Sequence, residues 1–401
     1  MKRRGFLITV GVISAFSSVP LLRRTLLPTP LIIQDAYTLW YNRPAIAEIP
    51  NGFCFGYVTS KGEIYVAEIN DQLLAYNFSR LHSFENASDH SSPSLIRVPK
   101  GKYSGHILAC FSNHASPLLF TRSTDSGSTS SWEKVRVVDG GRSTYTSLAA
   151  LPDGKIILMH TLQERSGTTD ATEWRKVVAR ITSDGGDTWS EPAIIAGIGP
   201  GTFPYSTAIS VGPAGECAMA YAIYSSKEKR HHGLTLSLTS DAFSSKREIP
   251  IPLGEEENLD TIPYETKWVS DKMVAVSYSQ MDSTGKQGLS RIVTINVESS
   301  LVISNIPVSQ VAVHSYAGGA AIGDNGSAVI YSPIRGGLYS KNMSTGKLTE
   351  LVGSGRFSSP WLFRAHGKIL LVALKNPSIK TTKNYSSEIL IMPVESQTQM
   401  L

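Results

Sequence analysis

Short stretches of alternating apolar and polar residues, separated by turn-forming residues, recur along most of the chain. Such alternation is typical of β-strands that bury one face. In the clearest copy, Leu148–Leu151 leads through the turn Pro152–Lys155 into Ile156–His160, which is the pattern of a β-hairpin. A second hairpin is predicted around the turn Gly212–Gly215. The pattern therefore predicts an all-β protein.

Seven segments begin with small polar or aromatic residues and continue into an apolar strand. They recur roughly every 40 to 60 residues, which leaves room for four short strands and their turns. The segments are Asn42–Ile46, Ser91–Leu95, Thr144–Leu148, Pro204–Ala208, Tyr264–Trp268, Ser315–Gly319 and Phe357–Trp361. We therefore predict one catalytic domain over residues 34–401, a seven-bladed β-propeller with four-stranded antiparallel blades.

The segment Thr182–Trp189 fits the pattern [S/T]-x-D-x-G-x-T-W and resembles the Asp box of sialidase-like β-propellers. Gly186 suits a turn that needs a positive φ, and Asp184 can accept backbone N–H groups within that turn. A degenerate copy is present in Ser123–Trp132, and a fragment without the glycine in Thr239–Phe243. These repeats predict Asp-box turns between strands, which is a structural signal and not a catalytic one.

Composition favours a packed globular protein. The 401 residues are 41% hydrophobic and 18% charged, with 33 Gly and 21 Pro. The formal net charge is +5, but five basic residues lie within the first two dozen positions, and no Lys/Arg-rich run with aromatics follows. Nucleic-acid binding is therefore not expected. The three cysteines have neither disulfide nor metal spacing. We expect a monomer that uses no cofactor, with a structural metal ion left open.

The N-terminus has the pattern of an export segment. The basic residues Lys2–Arg4 precede the apolar run Gly5–Phe16, as in a signal peptide, and Arg3–Arg4 resembles a twin-arginine signal. No A-x-A cleavage site stands out, and Arg23–Arg24 follows the apolar run, so a removed signal and a membrane anchor are both open over residues 1–33. We expect the protein outside the cytoplasm, periplasmic, extracellular or anchored on the outer side, with any membrane contact made only by this segment.

Several residue types near the predicted strand ends could carry chemistry. His90 precedes one strand and His114 lies in the following loop, so two imidazoles could converge on one cleft; each is also consistent with an ordinary loop histidine. Tyr205 opens a later blade, and Arg230 follows its second strand, where a solvated charge is the alternative. The candidate substrate-binding residues are Arg43, Asn113, Tyr145, His231, Glu265 and Tyr316.

The run from Asp89–Leu95 through Ser112–His114 to Leu119–Thr124, with Trp132, resembles the BNR-4 propeller family, which includes seven-bladed ulvan lyases. The resemblance implies a polysaccharide lyase that cleaves uronate-containing polysaccharide. It also implies a site made of two histidines, a tyrosine and an arginine, which fall by motif position on the four residues His90, His114, Tyr205 and Arg230.

Uronate β-elimination suits that set. A cation must neutralise the carboxylate while a base removes the C5 proton and an acid protonates O4. We assign the carboxylate to Arg230 with His114, and the proton transfers to His90 and Tyr205. The expected partner is an anionic polysaccharide. A sialidase-like glycoside hydrolase, which would use carboxylates or a Tyr/Glu pair, and a non-catalytic glycan-binding propeller are the alternatives.

Overall fold

The computed structural model describes residues 29–394 except for 86–87, 166–172, 198, 242, 244, 254–258, 282–286, 313–318 and 382–383. The described chain folds into strands, and its only helix is the 3₁₀ turn Asp89–Ser91. In chain order the strands are β1 (Leu31–Ile33), β2 (Ile46–Ile49), β3 (Gly52–Val58), β4 (Glu63–Asn70), β5 (Ala75–Ser83), β6 (Ser94–Arg97), β7 (Ile107–Phe111), β8 (Ser116–Arg122), β9 (Arg136–Ala150), β10 (Ile156–Arg165), β11 (Glu173–Thr182), β12 (Ala193–Ala196), β13 (Thr202–Ser206), β14 (Ser210–Val211), β15 (Cys217–Ser225), β16 (Arg230–Thr239), β17 (Arg247–Pro250), β18 (Asp260–Trp268), β19 (Met273–Met281), β20 (Gln287–Asn296), β21 (Leu301–Ala312), β22 (Ala320–Ile322), β23 (Ala328–Tyr331), β24 (Leu338–Asn342), β25 (Leu348–Val352), β26 (Phe357–Ala365), β27 (Lys368–Thr381) and β28 (Asn384–Val394). The prediction of an all-β protein is confirmed.

The strands form antiparallel sheets in which sequence neighbours pair. Three sheets have four consecutive strands each, in the orders β2-β3-β4-β5, β18-β19-β20-β21 and β22-β23-β24-β25. In a fourth sheet, β13 and β14 both pair with β15, which continues to β16 and β17. The seven strands from β6 to β12 form one sheet, because the long strand β9 pairs with β8 in its first half and with β10 in its second.

The two ends of the described chain meet in one sheet. β1 pairs with β28, and the order of that sheet is β1-β28-β27-β26. Residues 31–33, which the sequence analysis counted with the export segment, are therefore part of the folded body. The preceding residues 1–28, which hold the rest of that segment, lie outside the described residues.

Most of the predicted strand starts agree with the structure. Strands begin inside or within a few residues of five predicted segments, whereas Thr144–Leu148 forms the second half of the long strand β9. The predicted turns Pro152–Lys155 and Gly212–Gly215 connect β9 to β10 and β14 to β15. The remaining segment, Ser315–Gly319, lies mostly outside the described residues, and β22 starts directly after it.

Irregular pairing turns particular side chains out of their regular positions. The register of β9 with β10 shifts at Tyr145, that of β18 with β19 at Tyr264, and that of β26 with β27 at Ser359. Tyr145 and Ser359 have positive φ values of 53° and 51°. A β-bulge re-aims the residue at the shift. Gly319 completes the fit around Tyr264, because a Cβ there would come within 2.1 Å of the ring.

The segment Thr182–Trp189 forms the hydrogen-bonded turn expected for its sequence. The Thr182 hydroxyl donates to the Asp184 carboxylate at 2.7 Å, and the Thr188 backbone N–H donates to the same oxygen at 3.0 Å. Gly186 has φ +96°. The fragment that starts at Thr239 makes the same turn around Asp241 although it lacks the glycine. The motif thus recurs in structure where its sequence is degraded.

Apolar residues form buried clusters that pack neighbouring sheets together. All three cysteines are buried and unbridged, and burial raises the pKa of Cys54 and Cys217 to about 12, so these thiols are packing groups. Across the described chain, no helix has the length and apolar character needed to span a membrane.

Candidate functional site

A hydrogen-bonded chain of three side chains forms where the 3₁₀ turn meets β9. His90 Nδ1 lies 2.5 Å from an Asp89 carboxylate oxygen, and His90 Nε2 lies 2.8 Å from the Tyr145 hydroxyl. Ser88 caps the turn by accepting the His90 backbone N–H at 3.1 Å. Because the carboxylate contacts Nδ1, it favours the proton on that nitrogen and leaves Nε2 as an acceptor. Asp89 and His90 are buried.

The second predicted histidine lies beside the first. The ring centroids of His114 and His90 are 4.9 Å apart, with the rings nearly perpendicular. His114 is exposed, so it forms the outer side of this pair. Asn113 holds the loop, because its side-chain oxygen accepts from the Ser88 and His114 backbone N–H groups at 3.0 and 2.9 Å. Asn113 therefore has a positioning contact in the structure.

Tyr205, in β13, lies next to a buried arginine that sequence reasoning missed. Arg175 of β11 donates from Nη1 to the Tyr205 hydroxyl at 3.3 Å, and its guanidinium carbon is 5.2 Å from the centre of the Phe203 ring. Arg175 makes no ion pair within 4 Å with any described residue. Burial lowers its pKa, but the neighbouring Tyr205, Tyr145 and Glu173 outweigh that effect, and the pKa is raised. The group is thus a charged donor in a buried position.

A pattern in β11 could have identified Arg175. In this strand the buried Val177 and Ala179 share one face, and Arg175 occupies the preceding position of the same alternation. A charged residue in the buried phase of a strand is unusual unless it has a specific partner. The motif position after Tyr205 had instead indicated Arg230.

His231 packs on the other side of Tyr205. The two ring centroids are 4.6 Å apart, and the Tyr145 ring is 6.2 Å from the Tyr205 ring. Asp260 orients His231 by contacting Nδ1 at 2.7 Å and accepting the backbone N–H at 2.6 Å. Burial raises the pKa of Asp260, but the contacts with His231 outweigh it, so the pKa is lowered. His231 and Asp260 form a second oriented imidazole.

Arg230 has a different environment. It precedes His231 in β16, and adjacent strand residues point to opposite faces. Its Nη2 donates to the Glu228 carboxylate at 2.9 Å, and the Arg230 side chain is 30% exposed. The structure therefore brings together His90, His114, Tyr145, Tyr205 and His231 with Arg175, while Arg230 pairs with a surface carboxylate.

The remaining predicted substrate-binding residues are not in this cluster. Arg43 Nη2 donates to the Tyr264 hydroxyl at 3.1 Å, and the Glu265 carboxylate accepts the Ile322 backbone N–H at 2.8 Å. Burial raises the pKa of Glu265. Both residues lie beyond a chain of contacting rings that runs from Tyr145 to Tyr264. Tyr316 lies outside the described residues.

The cluster combines a cation, two phenols and three imidazoles within a few ångströms. A buried guanidinium can bind a carboxylate through two parallel hydrogen bonds, and oriented imidazoles can move protons through a neighbouring phenol. His114 is exposed and Tyr205 is half-buried, so the cluster is open to solvent at these two residues. His90 is buried and contacts the Tyr145 hydroxyl. Among the described residues, no group of three His, Cys, Asp or Glu side chains is placed to hold a metal ion.

Comparison with known proteins agrees with the sequence motifs. Residues 53–244 match the BNR repeat-containing family. No curated protein matches the chain in sequence. Among solved structures, a family PL25 ulvan lyase bound to -[GlcA(1-4)Rha3S]- has a TM-score of 0.61 and 11% identity, covering 90% of this chain and 94% of that one. The polysaccharide lyase Uly1 has a TM-score of 0.59 and 10% identity, covering 92% and 100%.

An α-L-arabinanase from Penicillium chrysogenum, solved with arabinobiose, has a TM-score of 0.51 and 16% identity, covering 91% of this chain and 99% of that one. Identities this low establish a common fold and leave the reaction open. The expected resemblance is confirmed: the chain matches the BNR repeat family over residues 53–244 and shares the fold of ulvan lyases.

Proposed function

We propose that this protein is a polysaccharide lyase that cleaves uronate-containing, ulvan-like polysaccharide by β-elimination. One observation carries the proposal: the buried Arg175 guanidinium lies at the Tyr205 hydroxyl, next to the chain of Asp89, His90 and Tyr145. The fold is shared with an ulvan lyase bound to a glucuronate-containing ligand, which supports the substrate class.

Arg175 takes the role of carboxylate binding in this proposal, in place of Arg230. The C5 proton becomes acidic only when the neighbouring carboxylate is neutralised, and a buried cation is most effective because the low dielectric strengthens the interaction. Arg175 has no carboxylate partner within 4 Å among the described residues, so its charge is available to a uronate. In this proposal His114, which lies beside His90 on the exposed side, donates to the same carboxylate.

Tyr145 and Tyr205 carry the two proton transfers. The Tyr145 oxygen accepts the C5 proton as its own proton passes to His90 Nε2, and Asp89 stabilises the resulting imidazolium. Tyr205 donates its proton to O4 as the C4–O4 bond breaks. The electron pair of the C5–H bond forms the C4=C5 double bond. After the product leaves, His90 releases its extra proton to solvent and Tyr205 takes one up, which restores the starting protonation states. The reaction needs no nucleophile.

The architecture of the whole domain is part of the proposal. We infer that the sheets close into a seven-bladed β-propeller over residues 34–401, extended by the strand β1. The seven-stranded sheet divides at β9 into two four-stranded units, and with the other five sheets this makes seven. Sheet packing continues from β2 to β6 and from β22 to β26. The Tyr385 hydroxyl donates to the Thr59 carbonyl at 2.9 Å, linking the last sheet to the first.

We also propose that the protein is exported and acts as a monomer on a polymeric substrate outside the cytoplasm. The basic and apolar pattern of residues 2–16 supports export. Fractionation of cells that express the full chain, with detection of the propeller domain in each fraction, tests the localisation. Recovery in the cytoplasmic fraction alone would contradict it.

The decisive experiment is to incubate the purified protein with ulvan, with other uronate polymers and with sialosides. β-Elimination produces unsaturated uronate ends that absorb in the ultraviolet, whereas hydrolysis produces new reducing ends without that absorbance. Unsaturated ends from a uronate polymer support the lyase. New ends without absorbance would favour the glycoside hydrolase, and polymer binding without any new ends would favour a binding propeller.

A further inference from the structure

A cavity of about 300 Å³ lies beyond the aromatic rings that border the candidate site. Its walls come from sheets far apart in sequence and include Arg43, Tyr264, Glu265, Lys267, Trp361 and Phe363. Tyr41 contacts Tyr145 at a centroid distance of 4.4 Å, and Trp40 contacts Tyr264 at 5.6 Å, so these rings lie between the two regions. The cavity has a size suited to one sugar ring.

The guanidinium of Arg43 is a buried charge that forms no ion pair with a described residue, although the Glu265 carboxylate in the same cavity wall interacts with it electrostatically. The residue is 9% exposed and makes no ion pair within 4 Å with any residue that the structure describes. Aromatic rings hold it in place: its guanidinium carbon lies 5.2 Å from the centre of the Tyr264 ring and 4.8 Å from that of Trp361. Buried charges in proteins are generally paired. An anion in the cavity would complete this environment.

Other groups around the cavity suit a ligand with hydroxyls as well as a carboxylate. Among the described residues, the Glu265 side chain accepts one hydrogen bond, from the Ile322 backbone N–H, which leaves acceptor capacity on the carboxylate. The buried Trp361 indole N–H has no partner among the described residues. Lys267 is neutralised by Asp324 at 2.7 Å and adds no free charge. The ring faces of Trp361 and Phe363 provide an apolar wall of the kind that packs against sugar C–H groups.

We propose that this cavity is a separate binding site for a single sugar acid, a free hexuronate, whose carboxylate pairs with Arg43. The fork of the guanidinium matches a planar carboxylate through two N–H donors. Ring hydroxyls donate to Glu265 and accept from the Trp361 indole, and one face of the sugar packs on the aromatic wall. The site depends on the cavity alone and is independent of the lyase chemistry proposed above.

The test is to titrate the purified full-length protein with glucuronate, with glucose and with acetate. Isothermal titration calorimetry measures the affinity, and NMR follows the indole N–H resonance of Trp361. Glucuronate should bind at least about tenfold more tightly than glucose or acetate, because only glucuronate joins the carboxylate to the ring. Its addition should shift the Trp361 resonance, which is identified by its loss in Trp361→Phe.

Two variants locate the ligand. Arg43→Gln should weaken glucuronate binding at least about tenfold, while Arg230→Gln, which removes a surface arginine paired with Glu228, should leave it unchanged. If Arg43→Gln does not fold, Trp361→Phe keeps an aromatic ring at this position but removes the indole N–H and part of the ring surface, and at least a roughly threefold loss is expected. The proposal is overturned if glucuronate does not bind, if glucose or acetate binds equally well, if the Trp361 resonance does not move, or if Arg230→Gln and not Arg43→Gln removes binding.

Discussion

The Asp184 turn and the candidate functional site are both marked by sequence motifs, but they are held together over very different ranges. In the turn, Asp184 contacts Thr182 and Thr188, which are two and four residues away. In the site, His90 contacts Tyr145 across 55 residues, and Arg175 contacts Tyr205 across 30. A local motif can therefore fix the turn, whereas the site exists only after several sheets have packed.

The comparison predicts that changes in the site alter activity and leave stability nearly intact, while changes in the turn do the reverse. Among the site residues, Tyr145 lies at a bulge with a positive φ, and functional sites are where proteins accept such local strain. The turn connects β11 to β12 and has no contact with those groups in the structure described.

The largest effect is expected from Tyr205→Phe. Removing the phenol proton should lower kcat on the uronate polymer roughly 10²- to 10⁴-fold, as is typical for loss of a general acid. The measurement is the rate of unsaturated-end formation at saturating substrate. Tyr224→Phe is the matched control, because Tyr224 also packs on His231, at a centroid distance of 5.1 Å, but has no assigned role. Equal losses in both variants would exclude a specific role for Tyr205.

A smaller loss is expected from Arg175→Gln. Without the guanidinium the uronate carboxylate stays charged, and kcat should fall roughly 10²- to 10³-fold, as for the loss of one charge-stabilising donor. Arg230→Gln is the control and should keep kcat within about threefold, because Arg230 pairs with Glu228 at the surface. The reverse pattern would restore Arg230 as the carboxylate-binding residue.

Asp184→Asn should change stability and leave turnover unaltered. The carboxylate accepts from the Thr188 N–H, the Thr188 hydroxyl and the Thr182 hydroxyl, so the variant should lose about 1–2 kcal/mol of unfolding free energy. Chemical denaturation measures the loss, and kcat of the folded variant should match the parent protein. A variant that unfolds normally but turns over slowly would show that the turn supports the site.

The smallest effect is expected in the pH dependence of stability that the Asp184 turn contributes. Burial raises the pKa of Asp184, but hydrogen bonds from Thr188 and Thr182 outweigh it and lower the pKa from 3.8 to about 2. A lowered folded pKa gives stability that is present above the ordinary carboxyl pKa and is lost as pH falls through the folded value. Stability should therefore decline between about pH 4 and pH 2, and by a smaller amount in Asp184→Asn. An unchanged decline in the variant would assign it to other carboxylates.

Much of the molecule followed from local patterns. Alternating apolar residues predicted the strands, and Pro152–Lys155 predicted a hairpin that the structure contains. The pairing of His90 with His114 was anticipated from their placement at neighbouring strand ends, and their rings are 4.9 Å apart. The roles assigned to these residues stay predictions.

Arg175 shows where local reasoning failed. Arg230 was predicted as the carboxylate-binding residue because it follows Tyr205 along the chain. In the structure, Arg175 contacts Tyr205 from another sheet. The bulge that turns Tyr145 toward His90 was equally hidden, because a shift in strand pairing depends on the partner strand. The sequence therefore predicted Tyr145 only as a substrate-binding residue, and its hydrogen bond with His90 is visible only in the folded protein.

Local sequence patterns were sufficient to predict the strands, the turns and the family resemblance, because alternation and turn chemistry act between residues a few positions apart. Which cation meets which phenol, and that Arg43 lines a cavity without an ion pair to any described residue, became visible in the folded protein. Those relations depend on how separate sheets pack and on where a strand slips by one residue, and no short stretch of sequence contains both partners.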